Sequence, residues 1–264
     1  MSLPAQSRTD LTAELDRLAH RQNDSRGMLM QGVENVGRLA EGAVSTLAGQ
    51  SPQMLEGAME TVFRRLYDLS ARGERVEILR NSPLGANRVA AVLSGATGGW
   101  FGMAGLVPDL VASTTLIFNT IQKVARVHGF DTSDPVIRLE SLAVFQRGEP
   151  GTDGDGTAQA FFAHRMLANG QTAATLLRRF AAAASSRITT KLGAQTIPVL
   201  GAMTGAAINY AYLDYYERVA HIHFRLLRLA EDNPDIDVEA AYAEALRRVG
   251  KPVREARFLR RGRA

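Results

Sequence analysis

A chain of 264 residues can bury a sizeable core in one large domain or two small ones. It has no cysteine, which excludes disulfides, thiol catalysis and Cys-ligated zinc. Aromatic residues make up 6% beside abundant Gly and Ala, which favours close helix packing over a β-sandwich. The 31 basic residues against 27 acidic give a net charge of +4, and only Lys123, Lys191 and Lys251 are lysine. Arginine pairs well with phosphate, so the excess admits an anionic partner without arguing for one.

The N-terminus, MSLPAQSRTDLTAELDRL, shows no apolar run of the secretory kind, and a cytoplasmic location is expected. Residues 1–8 read as a loose tail. Asp10 is placed to cap a helix bearing Leu11, Leu15 and Leu18 on one face, broken between Asn23 and Gly27. A second amphipathic helix carries Leu29, Val33, Val36, Ala40, Val44 and Leu47. Gly32, Gly37 and Gly42 weaken it by roughly 1 kcal/mol each. Ser51-Pro52 signals a third start, followed by Leu55, Met59, Val62, Leu66 and Leu69 at helical spacing. Residues 1–80 are thus expected to be N-terminal amphipathic helices on the outside of one bundle.

Residues 81–250 form the main helical region. From Val89 to Gln122 the only charge is Asp109, and GATGGWFGMAG crowds Gly95, Gly98, Gly99, Gly102 and Gly105 together. Pro108 is expected to start a helix ending at Gly129, and Asp134-Pro135 another reaching about Phe145. RGEPGTDGDGT, 147–157, reads as an exposed loop. Ala158 to about Ala184 reads as one alanine-rich helix. Pro198 opens a long helix through Ala230, and Asp235 or Asp237 caps a final one, VEAAYAEALRRV. The tail 251–264 is basic, with six basic residues against Glu255.

Two apolar stretches, PDLVASTTLIFN (Pro108 to Asn119) and PVLGAMTGAAIN (Pro198 to Asn209), align without gaps and match at five of twelve positions. Each asparagine lies eleven residues after its proline, hence on roughly the same helical face. Chance similarity between low-complexity helices and an internal duplication, giving two helices that pack as a pair, are both open readings. Gly201, Gly205 and Asn209 recur every fourth residue beside Ala202 and Ala206, a face that admits close backbone approach; Gly95, Gly99 and Gly102 supply a similar one. The expected fold is all-α, a multi-helix bundle with two glycine-rich apolar helical segments at its centre.

Neither stretch suits a stable membrane span. A span needs about 20 predominantly apolar residues. Leu192 to Leu213 contains Gln195, Thr196, Pro198, Thr204, Asn209 and three glycines. The first stretch carries Asp109, and a charged residue at mid-membrane costs about 2.5–3.5 kcal/mol on insertion scales. What remains is a hairpin buried in solution or pressed shallowly into an interface.

These motifs resemble those of the EcsC family, bacterial proteins named for a gene beside an ABC-transporter operon. The resemblance covers about residues 85–230. It rests on GATGGWFGMAGLVPDL at 95–110, HGFD at 128–131, Asp134-Pro135, KLGAQTIPVLGAMTGAAIN at 191–209 and HFRLLRL at 223–229. It implies an all-helical fold and a transporter-linked or membrane-associated accessory role. Residues 1–80 carry no motif that matches.

Chemistry-bearing patterns are sparse. GATGGWFGMAG lacks the Lys-Ser/Thr of a P-loop and has no strand before it, so no nucleotide or other cofactor is expected. Asp109 suits the first turn of a helix; the sharper reading pairs it, buried, with Lys191 or Arg88. His221 and His223 are two apart on a helix and point in different directions, a poor chelate. His128 is read as favouring the helix C-terminus before Gly129, and Asp153-Gly154-Asp155-Gly156 lacks the remaining calcium ligands, so no metal is expected. No nucleophile elbow surrounds Ser94, Ser113 or Ser185, and no catalytic residue is assigned.

Trp100 and the tyrosines 210, 212, 215 and 216 suit either a membrane interface or bundle packing. Arg218, Arg225 and Arg228, with the tail, could meet anionic lipid. The expected function is therefore non-enzymatic and peripheral to the inner face of a membrane. The partner is an anionic surface or a transporter complex, with a soluble scaffold binding another protein as the alternative and a hydrolase ranked behind it. No aromatic–basic interleaving supports nucleic-acid binding, and no small-molecule substrate is indicated.

Overall fold

The computed structural model describes residues 5–24, 57, 60–68, 106–146, 170, 172–181 and 198–249. Every regular element among them is helical. They are α1 (Ala5–Asp24), α2 (Leu106–Val127), α3 (Pro135–Ala143) running into a 3-10 turn (Val144–Gln146), α4 (Pro198–Asp232) and α5 (Val238–Val249). Two further helical stretches cover 60–68 and 173–181. The helix read over Leu29–Leu47, the loop 147–157 and the tail 251–264 lie outside the described residues.

Local chemistry explains most boundaries. Asp134 takes an extended conformation and its carboxylate accepts from the Val136 amide at 2.7 Å, while Pro135 fills the first helical position. Asp237 does the same for α5, accepting from the Ala240 amide at 2.9 Å. Three expectations shift. First, α1 begins at Ala5, about a turn and a half before Asp10, because nothing in that segment interrupts a helix. Second, α2 begins at Leu106, so Pro108 sits inside its first turn, where the missing N–H is not needed. Third, 158–184 is not one helix. Gly170 takes φ +77° and Thr172 Oγ1 accepts from the Thr175 amide at 3.3 Å, capping a new helix.

The path of the chain follows from a few contacts. After α2 the chain turns over 128–134 and returns as α3 against α2. Along α3 and the turn after it, Glu140 meets His223 and the Phe145 ring lies 5.1 Å from that of Tyr216, so α3 runs antiparallel to α4. It follows that α2 and α4 run parallel, and they form the most extensive helix–helix contact among the described elements. Their register is set where His128 meets His221 and Phe130 packs at 5.6 Å from Phe224.

Two apolar clusters share α4. The larger joins α2, α3, the 60–68 and 173–181 stretches and one face of α4, with Phe63, Ile121, Leu142, Phe180, Leu213 and Phe224 at its centre. The smaller sets Leu15, Leu18 and Ala19 of α1 and Val238, Tyr242 and Ala245 of α5 against Ile222, Leu226 and Leu229 of α4. Phe63 and Leu66 of the 60–68 stretch thus pack in the same core as α2, α3 and α4.

Candidate functional site

The best-defined cluster of polar groups lies where the end of α2 meets α4. α2 stops because Gly129 adopts φ +81°, a conformation that an L side chain rarely takes. The Gly129 amide then donates to the Arg126 carbonyl at 2.9 Å and the Phe130 amide to the Ala125 carbonyl at 3.0 Å, closing the helix with a Schellman motif. From α4, Arg228 reaches across and donates to the His128 carbonyl through Nε at 3.2 Å and Nη2 at 2.9 Å. Its guanidinium also lies 4.4 Å from the Phe130 ring centre and pairs with Glu231 at 2.6 Å. The positive φ is what requires glycine here; an added Cβ would also approach Arg228 Nη2 to 2.9 Å, and the guanidinium would have to shift.

Beside this clamp, His128 Nε2 lies 3.1 Å from His221 Nδ1, with the two rings edge to face. Burial, then His221, Arg225 and Arg228, push the His128 pKa down to about 4. Burial lowers that of His221 as well, with Arg21 adding to the effect and Glu217 opposing it. Both imidazoles are therefore neutral at pH 7. The sequence reading gave His128 a charge-complementing role at the helix C-terminus; the positive group there is Arg228, a hundred residues away in sequence.

Further polar groups are buried inside the bundle. His223 Nε2 and Glu140 Oε2 approach to 2.9 Å with 1% and 0% of their side chains exposed. Arg138, on the same short helix, donates from Nη1 to the Tyr67 carbonyl at 2.9 Å and lies over the Tyr67 ring at 4.3 Å. It thereby ties the 60–68 stretch to α3. Lys123 on α2 is buried too, and burial, followed by the nearby Arg126, lowers its pKa. Asn119, one turn before Lys123, and Asn209 on α4 are both buried. His221 and His223 do point in different directions, one to the end of α2 and the other to α3.

The residues singled out in the sequence are only partly brought together. Asn119 and Asn209 lie on the two helices that pack most extensively. Pro108 and Asp109 fall in the first turn of α2, and Pro198, Gly201 and Gly205 in the opening turns of α4, with their backbone alone described. Gly95, Gly99, Trp100, Gly102, Gly105 and Lys191 lie outside the described residues, and so does the Asp109–Lys191 pairing. Tyr215 and Tyr216 are buried and pack on one another, and Tyr216 also packs on Phe145, so they serve the core. The arginines read as headgroup ligands are engaged within the fold: Arg218 with Asp214 at 2.9 Å, Arg225 with Glu14 at 3.0 Å and Arg228 with Glu231.

Sequence reasoning missed the Glu140–His223 and His128–His221 contacts because each joins positions far apart in the chain. Burial of Glu140 had one local signal, the apolar run that flanks it in PVIRLESLAVF. Among the described residues no group of three or more His, Asp or Glu could hold a metal ion, and no helix is long and apolar enough to cross a membrane.

No curated protein and no solved structure matches the chain. The model of the EcsC protein family matches residues 39–229. The match runs from within the N-terminal region, which carries no motif legible by eye, to the last turn of α4, leaving α1 and α5 outside it. On that match, which spans more than half of its length, the chain belongs to the EcsC protein family.

Proposed function

We propose that this protein is a non-enzymatic, cytoplasmic member of its family that attaches peripherally to a membrane through the end of the bundle where α2 and α4 begin. The observation that carries this reading is the parallel alignment of those two helices. With His128 beside His221, a straight course places Pro108 level with about residue 201, within one turn of Pro198. Both uncharged stretches, Pro198 to Leu213 and the turns between Asp109 and Lys123, then start at one end of the bundle. The ion pairs of Arg225 with Glu14 and of Arg228 with Glu231 cluster toward the other.

Because Arg218, Arg225 and Arg228 already have carboxylate partners, attraction to anionic headgroups falls to the six basic residues of the tail. Each is worth about 1 kcal/mol near an anionic surface. Co-sedimentation with phosphatidylglycerol-containing vesicles tests the reading. Pelleting should require the vesicles, weaken with salt, and weaken on removing residues 251–264 or on Gly201→Leu. Pelleting indifferent to lipid overturns it. Capture by a membrane transporter complex without binding to bare vesicles would replace it with an accessory role on a protein partner.

A further inference from the structure

We propose that the His128–His221 contact is an acid-opened latch that fastens the C-terminal end of α2 to α4. An imidazole–imidazole hydrogen bond needs one ring nitrogen with a proton and one without. At 3.1 Å, His128 Nε2 and His221 Nδ1 meet that condition when both rings are neutral or when one carries an extra proton. When both are protonated, each nitrogen holds a hydrogen and the acceptor is gone. Two cations then face each other across the helix seam.

The surroundings make the second proton disruptive. On α4, Arg225 and Arg228 act on His128, and on α1 Arg21 acts on His221. Arg126, at the end of α2, is turned to Thr132 Oγ1. The carboxylates nearby are mostly occupied. Glu14 of α1 binds Arg225 and Arg17, Glu231 binds Arg228, and Asp131 in the turn accepts from both the amide and the hydroxyl of Ser133. Glu217, one turn before His221, is the group that opposes the loss. Carboxylates also lose charge as the pH approaches their own range, so the balance moves steadily toward repulsion.

The latch has a defined load. The turn it holds, 128–130, is otherwise attached to α4 by the Arg228 bonds to the His128 carbonyl and by the Phe130–Phe224 contact. Opening separates a helix end whose amides are in known hydrogen bonds, and it can be read there without any ligand or membrane. Opening of this turn is thus independent of the proposed membrane attachment.

Native-state hydrogen exchange on the full chain, followed from neutral pH to about 4, tests it together with NMR titration of the histidine rings. After correction for intrinsic rates, the Gly129 and Phe130 amides should lose protection by about tenfold per pH unit as the pH falls from about 6.5 toward 4, where the opened rings take up protons that the closed pair resists. The Leu142 amide in the core should hold. His221→Gln, which keeps a hydrogen-bonding side chain that does not titrate, should abolish the step, and His128→Gln should do the same. His20→Gln, at an exposed position of α1, should leave it intact. No step in the wild type, a step of equal size at Leu142, or a step retained in both glutamine variants overturns the latch. So does a His128 ring that titrates at its ordinary value.

Discussion

Glu140 Oε2 lies 2.9 Å from His223 Nε2 in the interior of the bundle, the two side chains sharing almost no contact with solvent. The two atoms stand at ion-pair distance, and the contact is an ion pair when the imidazole is protonated. A contact of this kind contributes little net stability when whole, because desolvation offsets attraction, but it penalises the loss of one partner heavily. Glu140→Ala or His223→Ala should each destabilise by about 3–5 kcal/mol in urea unfolding. Replacing both by leucine should cost less than either single change. Equal losses in all three would show that packing volume, rather than the polar contact, governs the site.

Gly129→Ala should lower stability by about 1–2 kcal/mol, since it forces an L side chain into left-handed backbone and pushes a methyl toward Arg228. If the methyl displaces the guanidinium from the His128 carbonyl, combining Gly129→Ala with Arg228→Ala should be less damaging than the sum of the two. Additive losses would show that backbone strain alone is responsible.

Stability should also fall with acid in a defined window. The native His128 pKa is about 4, against an ordinary 6.5, so between those values the unfolded chain binds the extra proton and is favoured. The contribution of the neutral ring is complete above about 6.5 and is lost as the pH falls toward 4. With the ring half-exposed and screened by solvent, the effect should amount to about 1–2 kcal/mol. His128→Gln should flatten the dependence over that window, measured by thermal melts across pH; a wild-type curve of the same slope would contradict it.

Tyr242 is fully buried between α1 and α4, and its hydroxyl lies 2.7 Å from Gln22 Oε1. Tyr242→Phe should cost about 1 kcal/mol for the lost hydrogen bond. Tyr242→Ala should cost about 3–5 kcal/mol by emptying the centre of the smaller cluster. Limited proteolysis of the alanine variant should then cut in α1 or α5 before any other described helix; cutting first in α3 would mean that the two clusters are not separable.

The helices were legible wherever the chain states its own boundaries. Asp134-Pro135, Asp237 and the His128-Gly129 stop are local signals, and each sits where its side chain or backbone makes the expected bond. Gly170 was an equally local signal, hidden within the surrounding alanine-rich pattern. The polar contacts were not legible, because no spacing rule links Glu140 to His223 or His128 to His221; helix pairing alone brings them together. The arginines of α4 look like free cations in a one-dimensional reading and become ion-pair members once α1 and the preceding turns of α4 lie beside them.

The α1–α5 contact places the chain's first described helix against its last, with Tyr242 and Leu18 separated by 224 residues. During synthesis α1 emerges long before the partner that covers it, and its row of Leu11, Leu15 and Leu18 must wait while the whole central bundle is made. α4 offers Ile222, Leu226 and Leu229 as a provisional surface only when it too has left the ribosome. Folding at the two ends is thus a late, high-separation closure, of the slow kind. Ribosome-bound chains halted before α5 should therefore carry an N-terminal helix that proteases still reach.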